Sequence, residues 1–321
     1  MLEVDKKLYD LLKKGATFSK LKTKTGLCSS DVVRKVHSFE DKGYQVHRVF
    51  NEAGAKFRIM DTFVVPLQDN IEIPTSGKIS FVVIADTHFG NIYENIEIVN
   101  KIYKYAEKNN IRYVFHLGDM IEGTPLASDV NHRIKRYGIH EQLDYVTRNY
   151  PKNDHIDTLY ILGNHDYRCL TEGIDISKVL NKRRLDMHFL GYKNSKIKIG
   201  NINILLHHPF TIDKEQKYDA EIKELYGDTH FDLILRGHTH HNYIYTNNMD
   251  SLVINVPACY SSPSRNYTGV YVVTLKQNII ELNSLIVGKE VLPFGVIRHE
   301  LKNKVLTKNI ENEYHKKNKK N

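Results

Sequence analysis

Cysteine is scarce in this 321-residue sequence, and long apolar runs are missing. Cys28, Cys169 and Cys259 are widely spaced and odd in number, so they predict neither a disulfide framework nor a zinc pattern. No uninterrupted apolar stretch approaches the roughly 20 residues of a membrane-spanning helix, and the charged first residues are unlike a signal peptide. The sequence also lacks internal repeats and low-complexity tracts. We therefore expect a cytoplasmic protein with no membrane anchor and no disulfide-linked partner.

The central part of the chain lacks an excess of either charge. Residues 76–297 contain 25 basic and 25 acidic side chains, whereas residues 1–75 contain 13 and 10, and residues 298–321 contain 8 and 3. The net charge of +8 therefore lies at the two ends. A neutral centre between basic ends fits a catalytic body whose flanks contact a polyanion, although a Lys-rich end also occurs as a solvated tail. With 41% hydrophobic residues, the chain is long enough for two folded domains.

The first 61 residues have the pattern of three short helices followed by a β-hairpin. Helices are predicted over residues 6–14 and 17–25 and after Ser29, and strands over residues 44–50 and 56–60. This order resembles a winged helix-turn-helix domain, whose third helix enters the DNA major groove. Many winged helices bind only protein, so DNA contact is an expectation by analogy. The candidate phosphate contacts are Lys20, Lys22, Lys24, Arg34, Lys35, Lys56 and Arg58.

Residues 62–76 have little periodicity and are predicted to be a linker. From residue 77 to residue 292, apolar runs alternate with amphipathic stretches, which is typical of an α/β domain. Residues 293–321 are predicted to form a basic C-terminal tail. Five of the apolar runs are followed by side chains that bind metals, and the five segments are Asp86-Thr87-His88, Gly118-Asp119, Gly163-Asn164-His165-Asp166, His207-His208-Pro209 and Gly237-His238-Thr239-His240. Because open α/β sheets collect ligands at the carboxyl ends of their strands, these segments predict a single site.

This ordered set of motifs resembles the calcineurin-like metallophosphoesterases. The resemblance implies a sandwich of two mixed sheets flanked by helices, here preceded by the small winged helix-turn-helix domain. It also implies two metal ions, one bound by Asp86, His88, Asp119 and His240, the other by Asp119, Asn164, His207 and His238. Spacing before the Pro selects His207 in the family, but the sequence leaves His208 open. Carboxylate, amide and imidazole ligands without thiolate suit Mn²⁺ first, with Fe or Zn²⁺ as alternatives.

The resemblance also assigns the catalytic residues. His165 follows a ligand and, in the family, the matching residue protonates the leaving group or stabilises the charged transition state. Asp166 is expected to orient His165. A pair of divalent ions supplies an activated water for attack on phosphorus, so the expected enzyme is a metal-dependent phosphoesterase.

The substrate is less well defined by the sequence. Ser/Thr phosphatases of this superfamily place an Arg where Gly123 stands here, which removes the expected clamp for a phosphomonoester dianion. Together with the basic ends, this favours a phosphodiesterase, specifically a DNA nuclease in repair or recombination that resembles the double-strand-break repair branch. Two alternatives remain: a phosphatase that uses the winged helix for localisation, and a non-catalytic scaffold like the small subunits of some replicative polymerases.

Overall fold

The computed structural model describes residues 3–41, 44–60, 71–75, 77–124, 133–211, 215–261, 268–287 and 291–301. Most of the predicted linker and the tail from residue 302 lie outside the described residues. The described helices are α1 (Glu3–Lys14), α2 (Phe18–Thr25), α3 (Ser29–Asp41), α4 (Ile96–Lys108), α5 (Ile139–Asn149), α6 (Asn164–Arg168), α7 (Ile176–Arg183) and α8 (Glu215–Tyr226).

The described residues form sixteen strands. They are β1 (Ala16–Thr17), β2 (Gln45–Asn51), β3 (Gly54–Met60), β4 (Ile71–Ile73), β5 (Lys78–Ile84), β6 (Tyr113–Leu117), β7 (Asp157–Leu162), β8 (Met187–Tyr192), β9 (Asn194–Ile199), β10 (Ile202–His207), β11 (Leu233–Arg236), β12 (Tyr243–Thr246), β13 (Leu252–Asn255), β14 (Thr268–Lys276), β15 (Ile279–Val287) and β16 (Val291–Glu300).

The N-terminal helices and hairpin lie where the sequence predicts them. The Thr17 side chain accepts a hydrogen bond from the Lys20 N–H at the start of α2, and Gly26 ends that helix with a left-handed backbone. Strands β2 and β3 pair antiparallel, and β1 adds a short third strand beside β3. Apolar side chains from all three helices and from β3 form one core, which includes Leu8, Leu21 and Val36.

Two mixed sheets form the body of the protein. The first has six strands in the order β12-β13-β11-β10-β9-β4, and the second has seven in the order β16-β15-β14-β5-β6-β7-β8. Side chains of both sheets share one core between them, whereas α4, α5 and α7 cover the outer face of the larger sheet and α8 covers the smaller one. The predicted two-sheet sandwich flanked by helices is confirmed.

Strands β5, β6, β7 and β8 are parallel, and so are β10 and β11 in the other sheet. All of their carboxyl ends therefore lie at one edge of the sandwich, where the predicted metal motifs follow.

The N-terminal unit contacts the opposite edge, at the amino ends of the same strands. Asp157, the first residue of β7, accepts hydrogen bonds from the Ala55 N–H at 2.7 Å and from His188 Nε2 at 2.8 Å. The Tyr113 hydroxyl, at the start of β6, donates to the Asn51 carbonyl. Leu185, which lies between α7 and β8 of the body, is part of the N-terminal core. The N-terminal unit is therefore packed against the body.

Two short segments differ from the sequence-based expectation. Residues 71–73, within the predicted linker, form β4 and pair parallel with β9, because Ile73 is fully buried between the sheets. Residues 293–300, within the predicted tail, belong to β16 and pair with β15. This strand was not predicted because Pro293 and Gly295 interrupt the apolar run and apolar residues stand on both faces, so no apolar–polar alternation marks it.

Candidate metal centre

The predicted metal motifs follow the carboxyl ends of β5, β6, β7, β10 and β11, and the structure brings them into one cluster. Five of their residues turn sharply at the strand ends, with a left-handed backbone that is uncommon outside glycine. These are Asp86 (φ 53°), His88 (φ 44°), Asp119 (φ 52°), His238 (φ 73°) and His240 (φ 57°). Such conformations cost of order 1–3 kcal/mol each and concentrate at functional sites.

The first group of donors consists of Asp86, His88 and His240. The Nε2 atoms of His88 and His240 face each other at 3.3 Å, and His240 Nε2 lies 3.4 Å from Asp86 Oδ1. Asp86 and His88 are buried, and Asp86 is also held by the backbone N–H of His238 at 3.2 Å.

The second group consists of Asp119, His208 and His238, with the amide oxygen of Asn164 between them. Asn164 Oδ1 lies 3.2 Å from His208 Nε2 and 2.9 Å from His238 Nδ1. Asp119 Oδ2 lies 3.3 Å from His208 Nε2 and 3.8 Å from His88 Nε2, so this carboxylate stands between the two groups.

His208, rather than His207, lies at this second group. Successive side chains of a strand point to opposite faces, so two neighbouring histidines at the end of β10 cannot both enter the site. His207 instead accepts a hydrogen bond from Arg236 Nε at its Nδ1, 3.2 Å away, and its Nε2 lies 3.9 Å from Glu221. The sequence-based preference for His207 is therefore corrected on geometry.

His165 and Asp166 occupy the short helix α6, directly after Asn164. His165 Nδ1 lies 2.7 Å from the Glu122 carbonyl oxygen, and the His165 N–H donates to Asp119 Oδ1 at 2.8 Å. The sequence-based expectation was that Asp166 orients His165, but the two side chains do not interact in this way. The buried Asp166 carboxylate instead accepts backbone N–H groups of Met120 (3.1 Å), Ile121 (3.0 Å) and Gly163 (3.0 Å), so it fixes the loops that carry Asp119 and Asn164 to each other.

Glu122 is a site residue that the sequence reasoning missed. Its Oε2 lies 2.9 Å from His88 Nδ1, and it forms a further donor group with His88 and His165. Tyr260 also approaches the site, with its hydroxyl 3.3 Å from His240 Nδ1. Glu122 follows Asp119 by three residues, which was the only available signal, whereas nothing local marked Tyr260.

The electrostatics of the cluster suit cations. Burial opposes charge on His88 and on His208, but nearby carboxylates outweigh it and raise the pKa of each to about 9. Burial also opposes ionisation of Asp86 and Asp119, but their imidazole neighbours lower the pKa of both carboxyls. Burial lowers the pKa of His238 to about 4, and its Nε2 has no hydrogen-bond partner among the described residues. Buried carboxylates, an amide oxygen and imidazoles with a bare nitrogen form a donor set that fits two divalent ions.

The seven predicted phosphate contacts all lie in the N-terminal unit, away from this cluster. Lys22 pairs with Asp154, Lys35 with Asp5, and Arg34 with Asp31 at 2.8 Å. Lys20, Lys24, Arg34 and Arg58 are exposed, whereas Lys22, Lys35 and Lys56 are half-buried.

Comparison with known proteins identifies relatives of the body of the chain. A family model described as the calcineurin-like phosphoesterase superfamily domain matches residues 79–278. An uncharacterised metallophosphoesterase of Campylobacter jejuni is 25% identical in an alignment of 205 residues, and the alignment covers 55% of this chain and 48% of that protein. The chain thus spans about half the length of this curated relative.

Solved structures with similar folds include Vps29 of Entamoeba histolytica in complex with Zn²⁺, which is 14% identical, with 70% of this chain and 100% of that chain covered and a TM-score of 0.42. A dimetal phosphatase of Danio rerio is 12% identical, with 68% and 99% covered and a TM-score of 0.43. In the described part of the chain, no helix is both long and apolar enough to span a membrane.

Proposed function

The chain belongs to the calcineurin-like phosphoesterase superfamily, and from this premise we propose that it is a two-metal phosphodiesterase that cleaves DNA. The observation that carries the proposal is the position of Asp119, whose Oδ2 approaches a histidine of each donor group, 3.3 Å from His208 Nε2 and 3.8 Å from His88 Nε2. A carboxylate shared in this way supports two neighbouring cations. The first ion would be held by Asp86, His88, Asp119 and His240, and the second by Asp119, Asn164, His208 and His238.

Two divalent ions at these positions would supply Lewis acidity and an activated water for hydrolysis of a phosphate ester, with Mn²⁺ our first choice and Fe or Zn²⁺ the alternatives. His165 contributes the proton transfer. The Glu122 carbonyl accepts a hydrogen bond from its Nδ1, so Nε2 can take up a proton from solvent and pass it to the leaving oxygen, which returns the ring to its neutral form. Burial lowers the pKa of His165, so the ring gives up a proton readily once it has taken one up. Asp166 holds the loop of Met120 and Ile121 to Gly163, and so supports the two loops from which Asp119 and Asn164 would bind the ions.

The surroundings of Gly123 favour a phosphodiester over a phosphomonoester. A Cβ atom added at Gly123 would lie 2.6 Å from the His165 carbonyl oxygen, and the backbone is left-handed with φ +69°. The position where related phosphatases carry a phosphate-gripping Arg therefore has no room for a side chain without a backbone shift. A diester has one negative charge less than a monoester dianion and depends less on such a clamp.

We assign the N-terminal unit, residues 1–61, as a winged helix-turn-helix domain that holds DNA. Three helices followed by a hairpin agree with this assignment, and Lys20, Lys24 and Arg58 present exposed positive charge. Non-specific DNA affinity depends on phosphate neutralisation, so a binding unit separate from the neutral catalytic body is a workable arrangement.

The test is a panel of labelled single- and double-stranded DNA substrates incubated with Mn²⁺, Mg²⁺, Zn²⁺ or chelator. We expect Mn²⁺-dependent cleavage that chelator stops and that Asp119→Asn abolishes, with reduced metal content by elemental analysis. Metal-loaded protein that cuts none of these substrates, yet hydrolyses phosphopeptides or nucleotides, would refute the nuclease.

A phosphatase is the second candidate, and the ion pairs of Lys22 with Asp154 and of Lys35 with Asp5 favour it, because they neutralise part of the basic surface. In that case the N-terminal unit serves localisation or protein contact. Rates on p-nitrophenyl phosphate and on bis(p-nitrophenyl) phosphate separate the candidates, since a phosphatase prefers the monoester.

A further inference from the structure

A ladder of aromatic rings leads from the core of the catalytic body to its surface beside the metal centre. Tyr160, fully buried, contacts Phe189 with ring centroids 5.8 Å apart, and Phe189 contacts Tyr192 at 4.9 Å. Tyr192 then contacts Tyr167 at 5.8 Å, and Tyr167 contacts Phe210 at 5.1 Å. The Tyr192 hydroxyl donates to Asp175 at 2.9 Å, which fixes the ring against which Tyr167 packs.

Tyr167 is an exposed ring of this ladder, with 43% of its surface open to solvent. It contacts Tyr192 edge-on, with the ring planes at 84°. A large aromatic ring that is held by its neighbours but open to solvent offers an apolar face for contact with a ligand.

The position of Tyr167 ties it to the second metal group. Asn164 and Tyr167 are three residues apart in α6, so their Cβ atoms are neighbours, about 5–6 Å apart on one helix face. Asn164 Oδ1 contacts both His208 and His238, and Phe210, the other partner of Tyr167, follows His208 by two residues. The exposed ring therefore borders the place where the phosphate would lie.

Positive charge accompanies these rings. Lys193 Nζ lies 5.4 Å from the centroid of the Phe210 ring and is paired with Glu221, and the Lys193 carbonyl accepts a hydrogen bond from the His208 N–H at 2.6 Å. Arg168, next to Tyr167, donates to the Asn164 carbonyl at 3.3 Å and to the Thr124 carbonyl at 3.3 Å. Arg168 has no carboxylate among these contacts, so it places an uncompensated positive charge next to the ring, and proteins that bind single-stranded nucleic acids combine such charge with aromatic stacking surfaces.

We propose that Tyr167 is a substrate-binding residue that stacks on the nucleobase next to the scissile phosphodiester. This inference rests on the proposed function and names its substrate class as an unpaired nucleotide, because a base inside a duplex has no free face to offer the ring. Stacking tolerates all four bases, so the contact should give affinity without sequence preference.

The test compares three oligonucleotides of three nucleotides each. One has all its bases, and the other two carry an abasic site on the 5′ or on the 3′ side of the same phosphodiester link. For the wild-type protein with Mn²⁺, we expect one abasic substrate to lose roughly 10-fold or more in kcat/KM, which is the range of one base–aromatic stack. Tyr167→Ala should lose a similar factor on the complete substrate, mainly through KM, and should no longer distinguish it from the abasic one. Tyr167→Phe, which keeps the ring, should restore the wild-type pattern.

Tyr44 provides a matched control, because it is 41% exposed and also contacts two rings, Tyr9 at 5.5 Å and Phe39 at 5.8 Å, but lies in the N-terminal unit. Tyr44→Ala should leave the ratio of the two rates unchanged. Equal wild-type rates on complete and abasic substrates, or a Tyr167→Ala variant that still distinguishes them, would overturn the inference while leaving the nuclease intact.

A protein that hydrolyses only monoesters would refute the proposed function, and the inference is then decided separately. In that case thymidine 5′-monophosphate and deoxyribose 5-phosphate form the matched pair, and a preference for the nucleotide that Tyr167→Ala removes would support stacking. Equal rates on the two would overturn it.

Discussion

At the scale of single residues, His165 is the side chain whose loss should separate catalysis from metal binding. It touches Asp119 only through its backbone N–H, and its ring is held by the Glu122 carbonyl. We expect His165→Ala to reduce kcat by about 10²–10⁴-fold, the usual contribution of a general acid, while metal content stays at the wild-type level. Steady-state kinetics on bis(p-nitrophenyl) phosphate and elemental analysis measure the two quantities. An unchanged kcat would remove His165 from the mechanism.

His116 should impose a pH dependence on stability. Thr87 Oγ1 donates to the Met120 carbonyl, so the hydroxyl accepts from His116 Nε2 at 3.0 Å, and the buried Nδ1 has no hydrogen-bond partner among the described residues. A proton on Nδ1 would be buried and unpaired, and this burial lowers the pKa of His116 to about 3. The ring therefore stays neutral in the folded protein and becomes protonated in the unfolded chain below about pH 6.5.

The unfolded state thus binds one more proton, and the contribution of His116 to stability falls as the pH drops below 6.5, by about 1.4 kcal/mol per pH unit. Between pH 6.5 and pH 5, the free energy of unfolding of the metal-free protein should fall by about 2 kcal/mol more than that of His116→Gln. Urea denaturation at both pH values measures this difference. Parallel losses in the two proteins would contradict the assignment.

The residue types and order of the site could be predicted from the sequence, whereas the direction of individual side chains could not. Asp86 and Asn164 follow strands and meet because parallel strands share an edge. The choice between His207 and His208 depends on which face of β10 is buried against α8, and the sequence does not show this. The role of Asp166 depends on backbone N–H groups, which have no signature in the sequence.

At the scale of elements, the contact between the hairpin and β7 depends on Asp157. Its carboxylate is shared by the Ala55 N–H and His188 Nε2, so Asp157→Ala leaves two donors without their partner. We expect a loss of about 1–3 kcal/mol in the free energy of unfolding and faster amide exchange over residues 45–60, with unchanged phosphoesterase activity. Urea denaturation and hydrogen exchange measure these effects.

Asp144→Ala is the control for this variant, because Asp144 forms only exposed ion pairs with Arg183 and Arg148. It should leave both the stability and the exchange of the hairpin close to wild type. If Asp157→Ala behaved in the same way, the hairpin would be held by its apolar contacts alone.

Helices and strands with one buried face could be predicted well, since their apolar residues repeat with a clear period. Short strands could not, because β4 has only three residues, too few to define a period. Strand β16 has ten residues, which is long enough to define a period, but almost all of them are exposed and no apolar–polar alternation marks the strand.

At the scale of the whole molecule, the basic N-terminal unit and the metal centre lie at opposite ends of the same strands. Strand β6 has five residues, so its ends are roughly 16 Å apart at about 3.3 Å per residue. A DNA molecule held at both places must therefore extend over several nucleotides. A short substrate can reach only the metal centre.

We expect the combined variant Lys20→Ala, Lys24→Ala and Arg58→Ala to cleave a long DNA substrate less efficiently. The slope of log kcat/KM against log salt concentration should become shallower by up to about three, because up to three phosphate contacts are lost. Its rate on a dinucleotide should match that of the wild type. Kinetics on the two substrates at about 50 and about 200 mM salt measure both effects. Equal losses on short and long substrates would show that these side chains act on the catalytic body instead.

The hairpin contacts the amino ends of β6 and β7, and the candidate metal ligands follow their carboxyl ends. The length of the strands therefore fixes the distance between the N-terminal unit and the metal centre. Hydrogen-bonded strands do not stretch, so if the N-terminal unit holds DNA and the metal centre cleaves it, as proposed, the distance between the two positions is constant. Products cut from DNA that is gripped by the N-terminal unit should then share a preferred size set by the length of a strand, whatever their base sequence.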